Sequence, residues 1–250
     1  MVYLKSGAEI KKMQSAGRIL VTVFASLQEM IRPGITTMDL DKEAERIIRM
    51  EGATPSFYLY GTPPFPASIC ASVNSEVVHG IPRADRVLCE GDIISVDLGA
   101  KLDGYHADAA RTFAVGKISE DAARLIRVTE ECFQKGLEKV QIGNRIGDIS
   151  HAVEVHAKQA GCSVVRELVG HGIGRELHEE PSVPNYGSPG KGMRIASGLC
   201  ICIEPMINLG ERFVTLSSDQ WTIVAADGKP SAHYENTIAV TPDGPIITTI

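Results

Sequence analysis

The sequence predicts an α+β fold made of two quasi-equivalent halves that share one sheet. Three observations carry this. A pair of helical segments followed by β-type runs occurs twice along the chain. Matching residues recur at a fixed spacing: Gly34, Asp39, Leu40, Glu45 and Gly52 are echoed by Gly143, Asp148, Ile149, Glu154 and Gly161 at an offset of 109. An acidic residue also returns at the equivalent point of two strands, Ile94-Ser95-Val96-Asp97 and Ile201-Cys202-Ile203-Glu204, at an offset of 107. Internal repetition on this scale marks a duplicated unit, here about 1–116 and 117–250 of a single domain.

Each element has a local cause. Ser6 and Glu9 form a capping box, and Ile10, Met13, Leu20, Phe24, Leu27 and Ile31 follow at helical spacing until Pro33-Gly34 stops the run. A second helix is predicted over 37–51, with Leu40, Ala44, Ile47 and Ile48 inward and Gly52 as its stop. After a Pro-rich loop at 62–66, β-type runs appear at 68–73, 93–98 and 106–115, the last two flanking Asp103-Gly104, a strong hairpin signal. The pattern restarts with Ser119, which opens a helix to about Val140, and with a helix over 146–160 that ends at Gly161. In the second half, Glu204 ends the strand Cys200-Ile201-Cys202-Ile203. The runs 221–226 and 233–240 flank the turn Asp227-Gly228-Lys229-Pro230, and the returning strand carries Glu235.

Composition narrows the function. The chain has 250 residues, 44% hydrophobic and 22% charged, as in ordinary globular proteins. With 25 basic and 31 acidic residues the net charge is −6, which weighs against a nucleic-acid partner. The longest nearly apolar stretch, 19–27, is too short to span a bilayer, and the N-terminus lacks a signal-peptide pattern. Six cysteines without a C-x-x-C pair read as reduced thiols of a cytoplasmic protein.

The residues that carry chemistry are acids in apolar strands. Asp97 lies in Ile93-Ile94-Ser95-Val96-Asp97-Leu98, where an ionised carboxylate is expensive unless paired or metal-bound. If Asp103-Gly104 are the two central turn residues, Asp97 faces Ala110 and Asp108 faces Gly99, so both carboxylates share a face as diagonal neighbours. Glu204 and Glu235 repeat the arrangement in the second half. Taken singly, each acid has an ordinary reading as a solvated or salt-bridged side chain. Four at equivalent points favour a cation, because adjacent buried carboxylates repel and two divalent ions would balance four negative charges. The stretch His171-Gly172-Ile173-Gly174-Arg175-Glu176-Leu177-His178-Glu179-Glu180-Pro181 has glycines that permit close backbone approach to a ligand. Its two histidines stand seven positions apart, so one can bind metal while the other meets substrate.

His79-Gly80-Ile81-Pro82, the Asp97/Asp108 pair, His171-Gly172-Ile173-Gly174 with His178-Glu179-Glu180-Pro181, Ile203-Glu204-Pro205-Met206 and Tyr234-Glu235-Asn236-Thr237 together resemble the type I methionine aminopeptidases of the M24 metallopeptidases, in order over essentially the whole chain. The resemblance implies the duplicated "pita-bread" α/β fold, a central curved antiparallel sheet with helices on its outer face. It implies two divalent ions (Co, Mn, Fe or Zn) held by Asp97, Asp108, His171, Glu204 and Glu235. It further implies removal of the N-terminal methionine of nascent polypeptides when the second residue is small. Glu204 would handle the proton of the attacking water, His178 would stabilise the tetrahedral oxyanion, and His79 would contact the scissile amide nitrogen or the following residue. Phe65, Cys70, Leu177 and Trp221 are the candidates for a narrow methionine slot. Asn74 and Ser231 match a monovalent-cation site of some relatives.

No metal-binding N-terminal extension or long insertion is visible, which fits the short bacterial form acting as a monomer, without a membrane or nucleic acid, the ribosome being one place to meet its substrates. Thr62 and Phe65 stand where relatives often carry tyrosines, Leu177 replaces a frequent aromatic and Asn236 a frequent histidine; these departures are expected to touch pocket shape and not the ligand set. A proline-specific peptidase of the same fold is the nearest alternative, though such relatives generally carry a large additional N-terminal domain. A metal-free binding module of this fold would have lost ligands, and none of the five is missing.

Overall fold

The computed structural model describes residues 2–250. Helix α1 (Gly7–Met30) starts where expected: the Ser6 hydroxyl accepts from Glu9 N, and the Glu9 carboxylate accepts from Ser6 N at 2.9 Å. Helix α2 (Thr37–Met50) carries the same device, Thr36 with Asp39, and stops before Gly52 at φ +74°. Helix α3 (Glu120–Leu137) is capped by Ser119, and α4 (Ile146–Gln159) ends before Gly161. The sequence extends α3 to about Val140, but its last turn is given up at Leu137, where Val140 N bonds Leu137 O in a tighter turn.

One nine-stranded antiparallel sheet runs through the molecule. Its main path is Thr54–Pro55, Ile93–Leu102, Tyr105–Ala114, Glu235–Thr241, Cys200–Ile203, Gly170–Gly172 and Glu179–Val183. Ile69–Val73 adds to Ile93–Leu102, and Gly244–Ile247 adds to Glu235–Thr241. The two repeats join where Glu235 pairs with Ala110 and Asn236 with Ala109. Asp103 and Gly104 both have positive φ, the conformation a tight two-residue hairpin needs, and they set the predicted register. Asp97 pairs with Ala110, and Gly99 with Asp108.

Strand alternation then sorts the side chains. Ile94, Val96, Leu98, Ala107 and Ala109 point to one face and pack with Leu20, Val23, Leu40 and Ile48 of α1 and α2. In the second half Ile201, Ile203, Ile238 and Val240 do the same against Phe133 and Ile149 of α3 and α4. Asp97 and Asp108, and at the strand ends Glu204 and Glu235, stand on the alternate positions and so on the face away from the helices. The curved sheet with helices along one side is the pita-bread architecture.

The second repeat departs from the first between Glu204 and Glu235. The run over 221–226 does not return through Asp227-Gly228 to the Glu235 strand. Instead Ile223–Ala225 pairs with Val214–Leu216 and with Glu76–Val78, drawn to an apolar cluster around Val77, Val78, Val165 and Met206. Met206–Asn208 pairs with Ser231–His233, and the Glu204 strand pairs directly with the Glu235 strand, Ile203 opposite Asn236. The run over 233–240 is split accordingly at Tyr234.

Candidate metal centre and substrate slot

Asp97, Asp108 and Glu235 are 7%, 3% and 2% exposed, and the Glu204 side chain is 12% exposed. Several of their oxygens lack any partner: Asp97 Oδ1, Asp108 Oδ1 and Glu235 Oε1 are buried with no hydrogen bond. Burial pushes the carboxyl of Asp97 well above its ordinary range, and the charges of Asp108 and Glu235 push it further. Glu204 and Glu235 are raised in the same way, by burial first and neighbouring carboxylates second, and burial also raises Asp108.

The magnitudes decide what this means. Burying one ionised carboxylate costs several kcal/mol, and a domain's whole stability is about 5–15 kcal/mol. Four cannot stay ionised side by side without compensation. Protonation or a bound cation supplies it, and the orphaned oxygens fit a cation, because each is an acceptor aimed into a shared cavity with no donor to meet it. The donor set of carboxylate oxygens plus imidazole is one that divalent transition ions accept.

His171 supplies the imidazole. Its Nδ1 lies 2.9 Å from Gly172 O, so Nδ1 carries the proton and donates there. The lone pair is therefore on Nε2, which stands 3.5 Å from Glu204 Oε1, 3.9 Å from Asp108 Oδ2 and 4.0 Å from Glu235 Oε1. Burial lowers its pKa to about 3, leaving a neutral ligand. The glycines around it are required by packing: a Cβ on Gly170 or Gly172 would run into the backbone of Cys202 or of Glu180. Cys202 is close by, but burial and the charges of Glu235, Asp108 and Glu204 push its thiol up, so it packs as a neutral group and hydrogen-bonds Thr237 Oγ1 at 3.5 Å.

The loop between His171 and His178 is pinned from outside. The Lys5 ammonium, itself nearly buried, donates to Glu179 at 2.5 Å, and Glu179 Oε1 accepts from Arg175 N and Glu176 N. His178 comes back over the site with its ring centroid 4.3 Å from that of His171. The Tyr60 hydroxyl and His178 Nδ1 share a hydrogen bond of 2.6 Å. His79 sits at φ +59°, its ring edge-on to Trp221 at 6.1 Å, and burial lowers its pKa to about 4.

A cavity of about 190 Å³ opens beside the carboxylates, smaller than the roughly 300–1,000 Å³ of common small-molecule sites. Phe65, Cys70, Leu177 and Trp221 all line it, with His79, His178 and the four acids. Phe65 and Trp221 pack edge to face at 5.2 Å. Thr62 is exposed and does not line the cavity, because the loop turns it outward before Phe65. Asn236 is not a pocket residue either: its side chain accepts from Arg111 at 2.6 Å and from Thr249 at 2.8 Å. Asn74 and Ser231 adjoin, Ser231 N donating to Asn74 O at 2.9 Å, while the Asn74 side chain is engaged with Asp92 and Ile93. Apart from apolar wall residues such as Phe57 and Leu168, two lining residues with polar groups escaped the sequence reading. Tyr60 gave no signal beyond an aromatic in a loop. His233 did, since it lies two residues before Glu235 on an extended segment and so shares its side.

Residues 11–242 match metallopeptidase family M24. A methionine aminopeptidase of Clostridium acetobutylicum is 53% identical over 250 residues, covering 100% of this chain and 99% of that one. Methionine aminopeptidase 1 of Bacillus subtilis is 50% identical over 98% of this chain and 97% of its own. The crystal structure of methionine aminopeptidase from Rickettsia prowazekii superposes with a TM-score of 0.97 at 38% identity and full coverage of both chains. Prolidase from Pyrococcus furiosus, at 22% identity and a TM-score of 0.78, shares the fold.

A carboxyl whose proton is held more tightly in the folded than in the unfolded state contributes stability that is lost as pH rises through the folded value. Above pH about 7.5 histidines are largely neutral in both states, so the carboxyls dominate. The urea midpoint of chelated protein is therefore expected to fall from pH about 7.5 to about 8.5, while excess Mn(II) restores it and its binding releases protons in calorimetry. A midpoint that rises in chelator over this range, without proton release on binding, would contradict the buried-carboxylate reading.

Proposed function

The chain belongs to metallopeptidase family M24, and from that premise and the site we infer that it is a methionine aminopeptidase. It is a hydrolase that uses divalent metal, and it removes the N-terminal methionine of nascent proteins and peptides when the second residue is small. The observation that carries the reading is a small cavity of about 190 Å³, walled by Phe65, Leu177 and Trp221, that also holds the four carboxylates. We propose two ions, held by Asp97, Asp108, His171, Glu204 and Glu235, with Co, Mn, Fe and Zn as the candidates. Bound there, they supply a Lewis acid and bring the pKa of water toward about 7.

The chain's own groups do the rest. The free α-amine of a peptide would sit against the metal site at the end of the cavity, so the chain enters by one residue only. Phe65, Cys70, Leu177 and Trp221 grip the methionine side chain, whose unbranched thioether suits an aromatic-walled slot. Glu204 takes the proton of the attacking water. With the Tyr60 hydroxyl donating to Nδ1, the proton of neutral His178 is on Nε2, where it donates to the oxyanion that develops on the scissile carbonyl. His79 contacts the scissile amide nitrogen or the following residue. The two histidines of one loop thus hold opposite tautomers, one to accept and one to donate.

Around this chemistry we propose one catalytic domain of two pseudo-symmetric halves, acting as a monomer. The reaction is placed in the cytoplasm, where nascent chains are met at the ribosome; six free cysteines, five of them buried, suit a reducing compartment. No helix among the described residues is long and apolar enough to cross a membrane. Asn74 and Ser231 are proposed as a monovalent-cation pair, on their adjacency.

Purified protein loaded with Mn(II) or Co(II) is expected to cleave Met-Ala-Ser, with Met-Lys-Ser, Leu-Ala-Ser and Ala-Pro-Ser poor substrates, and chelator abolishing turnover. Preference for Ala-Pro-Ser, or cleavage indifferent to chelator, would overturn the assignment. Replacing His178 by Ala is expected to lower kcat by about 10²–10³, the cost of one lost oxyanion donor. Tyr60→Phe should lower kcat by roughly tenfold with KM nearly unchanged, since it frees the tautomer without removing the donor; a KM effect alone would show that Tyr60 only shapes the slot.

A further inference from the structure

His233 is a second imidazole at the acidic cluster. It is 1% exposed, and neither Nδ1 nor Nε2 has a hydrogen-bond partner. Leaving one buried polar atom unsatisfied costs about 1–3 kcal/mol, so an imidazole with two orphaned nitrogens is a site that awaits something. Its Nε2 stands 3.9 Å from Glu204 Oε2 and 3.9 Å from Glu235 Oε2. His171 Nε2 stands 3.5 Å and 4.0 Å from the other oxygens of the same two side chains. Each glutamate therefore turns one oxygen toward each imidazole.

We propose that His233 is a sixth protein ligand of the metal centre, giving an imidazole to the ion shared with Asp97 and Glu235 while His171 serves the other. The proposal rests on the two-ion reading above. A direct hydrogen bond to either glutamate is excluded by distance, since such bonds end near 3.2 Å. Two donors of one ion, each bonded at about 2.0–2.2 Å, stand no more than roughly 4.4 Å apart, and 3.9 Å lies inside that span. Donor atoms of Asp97, His233 and Glu235 all lie within 4.8 Å of one another.

The local chain is arranged to present this ring. His233 and Glu235 alternate across Tyr234, whose own ring turns to Phe133 at a centroid distance of 5.3 Å and accepts the Arg111 guanidinium over its face. Arg111 also occupies Asn236, tying that amide away from the cavity. The fold thus ties the Asn236 amide away from the cavity and leaves the imidazole of His233 beside the carboxylates. The chemical consequence concerns metal choice. A nitrogen donor on the second ion moves its set from all-oxygen, which suits Mn(II), toward one that favours Fe(II), Co(II) or Zn(II).

The test is metal binding rather than turnover. Chelated wild type, His233→Leu and His171→Ala are titrated with Co(II) and with Mn(II) by calorimetry. Wild type is expected to bind two ions. His233→Leu should keep one site and lose about 10- to 100-fold or more at the other, as removal of metal-supporting groups does, with a larger loss for Co(II) than for Mn(II). Proton NMR of Co(II)-loaded wild type should show two exchangeable, paramagnetically shifted imidazole N–H signals, of which His171→Ala retains one. That spectrum decides the matter even if His233→Leu fails to fold. One such signal in wild type, or an unchanged two-site isotherm in folded His233→Leu, overturns the assignment of His233 and leaves the two-ion reading standing. A wild type that binds no ion overturns both.

Discussion

Four carboxylates crowded into one largely buried cavity cannot all keep their charge without compensation, and the rest of the molecule is arranged around that electrostatic constraint. Asp97, Asp108, Glu204 and Glu235 come from four strands of the same sheet, brought together because Asp103-Gly104 sets one register and the pairing of Asn236 with Ile203 sets the other. The alternate positions of those strands feed the apolar interface with the helices. The packing that stabilises the fold and the repulsion that a cation must relieve are therefore two faces of the same strands. Divalent metal use by family M24 follows this logic: the acids are held where a bound cation relieves their repulsion.

Around that centre, neutral groups give direction to the charge. Burial lowers the pKa of His171 to about 3, of His79 to about 4 and of His178 below its ordinary value, which favours the neutral rings, so in the proposed reaction they act through hydrogen bonds and a lone pair. What distinguishes them is the partner of each ring. A backbone carbonyl fixes His171, a tyrosine hydroxyl touches His178, and the ring of Trp221 backs His79. The Lys5–Glu179 pair ties the N-terminal segment to the loop that carries two of these rings, so a segment far from the chemistry helps set its geometry.

Much of this was legible in the sequence because it is written locally. Capping at Ser6 and Ser119, glycine stops at Gly52 and Gly161, and a two-residue turn are short-range signals, and hairpin parity carried the Asp97–Asp108 relation directly from them. The ligand candidates were legible as acids where acids are costly. The segment between Glu204 and Glu235 was not, because its three-residue strands are too short to show a period and their partners, such as Glu76–Val78, lie far away along the chain. Tyr60 was missed for a related reason, since a lone tyrosine in a loop acquires meaning only from long-range neighbours, whereas His233 had a local signal in its place two residues before Glu235. Thr62 and Asn236 show the converse, residues expected to touch pocket shape that the fold turns away from the cavity.

The central claim is that the acids converge on bound cations. The most direct measurement is anomalous diffraction at the manganese edge from crystals grown with excess Mn(II). The account predicts two strong peaks within bonding distance of oxygens from Asp97, Asp108, Glu204 and Glu235. No anomalous density between these side chains, with Asp97 and Glu235 turned to separate regions, would contradict it.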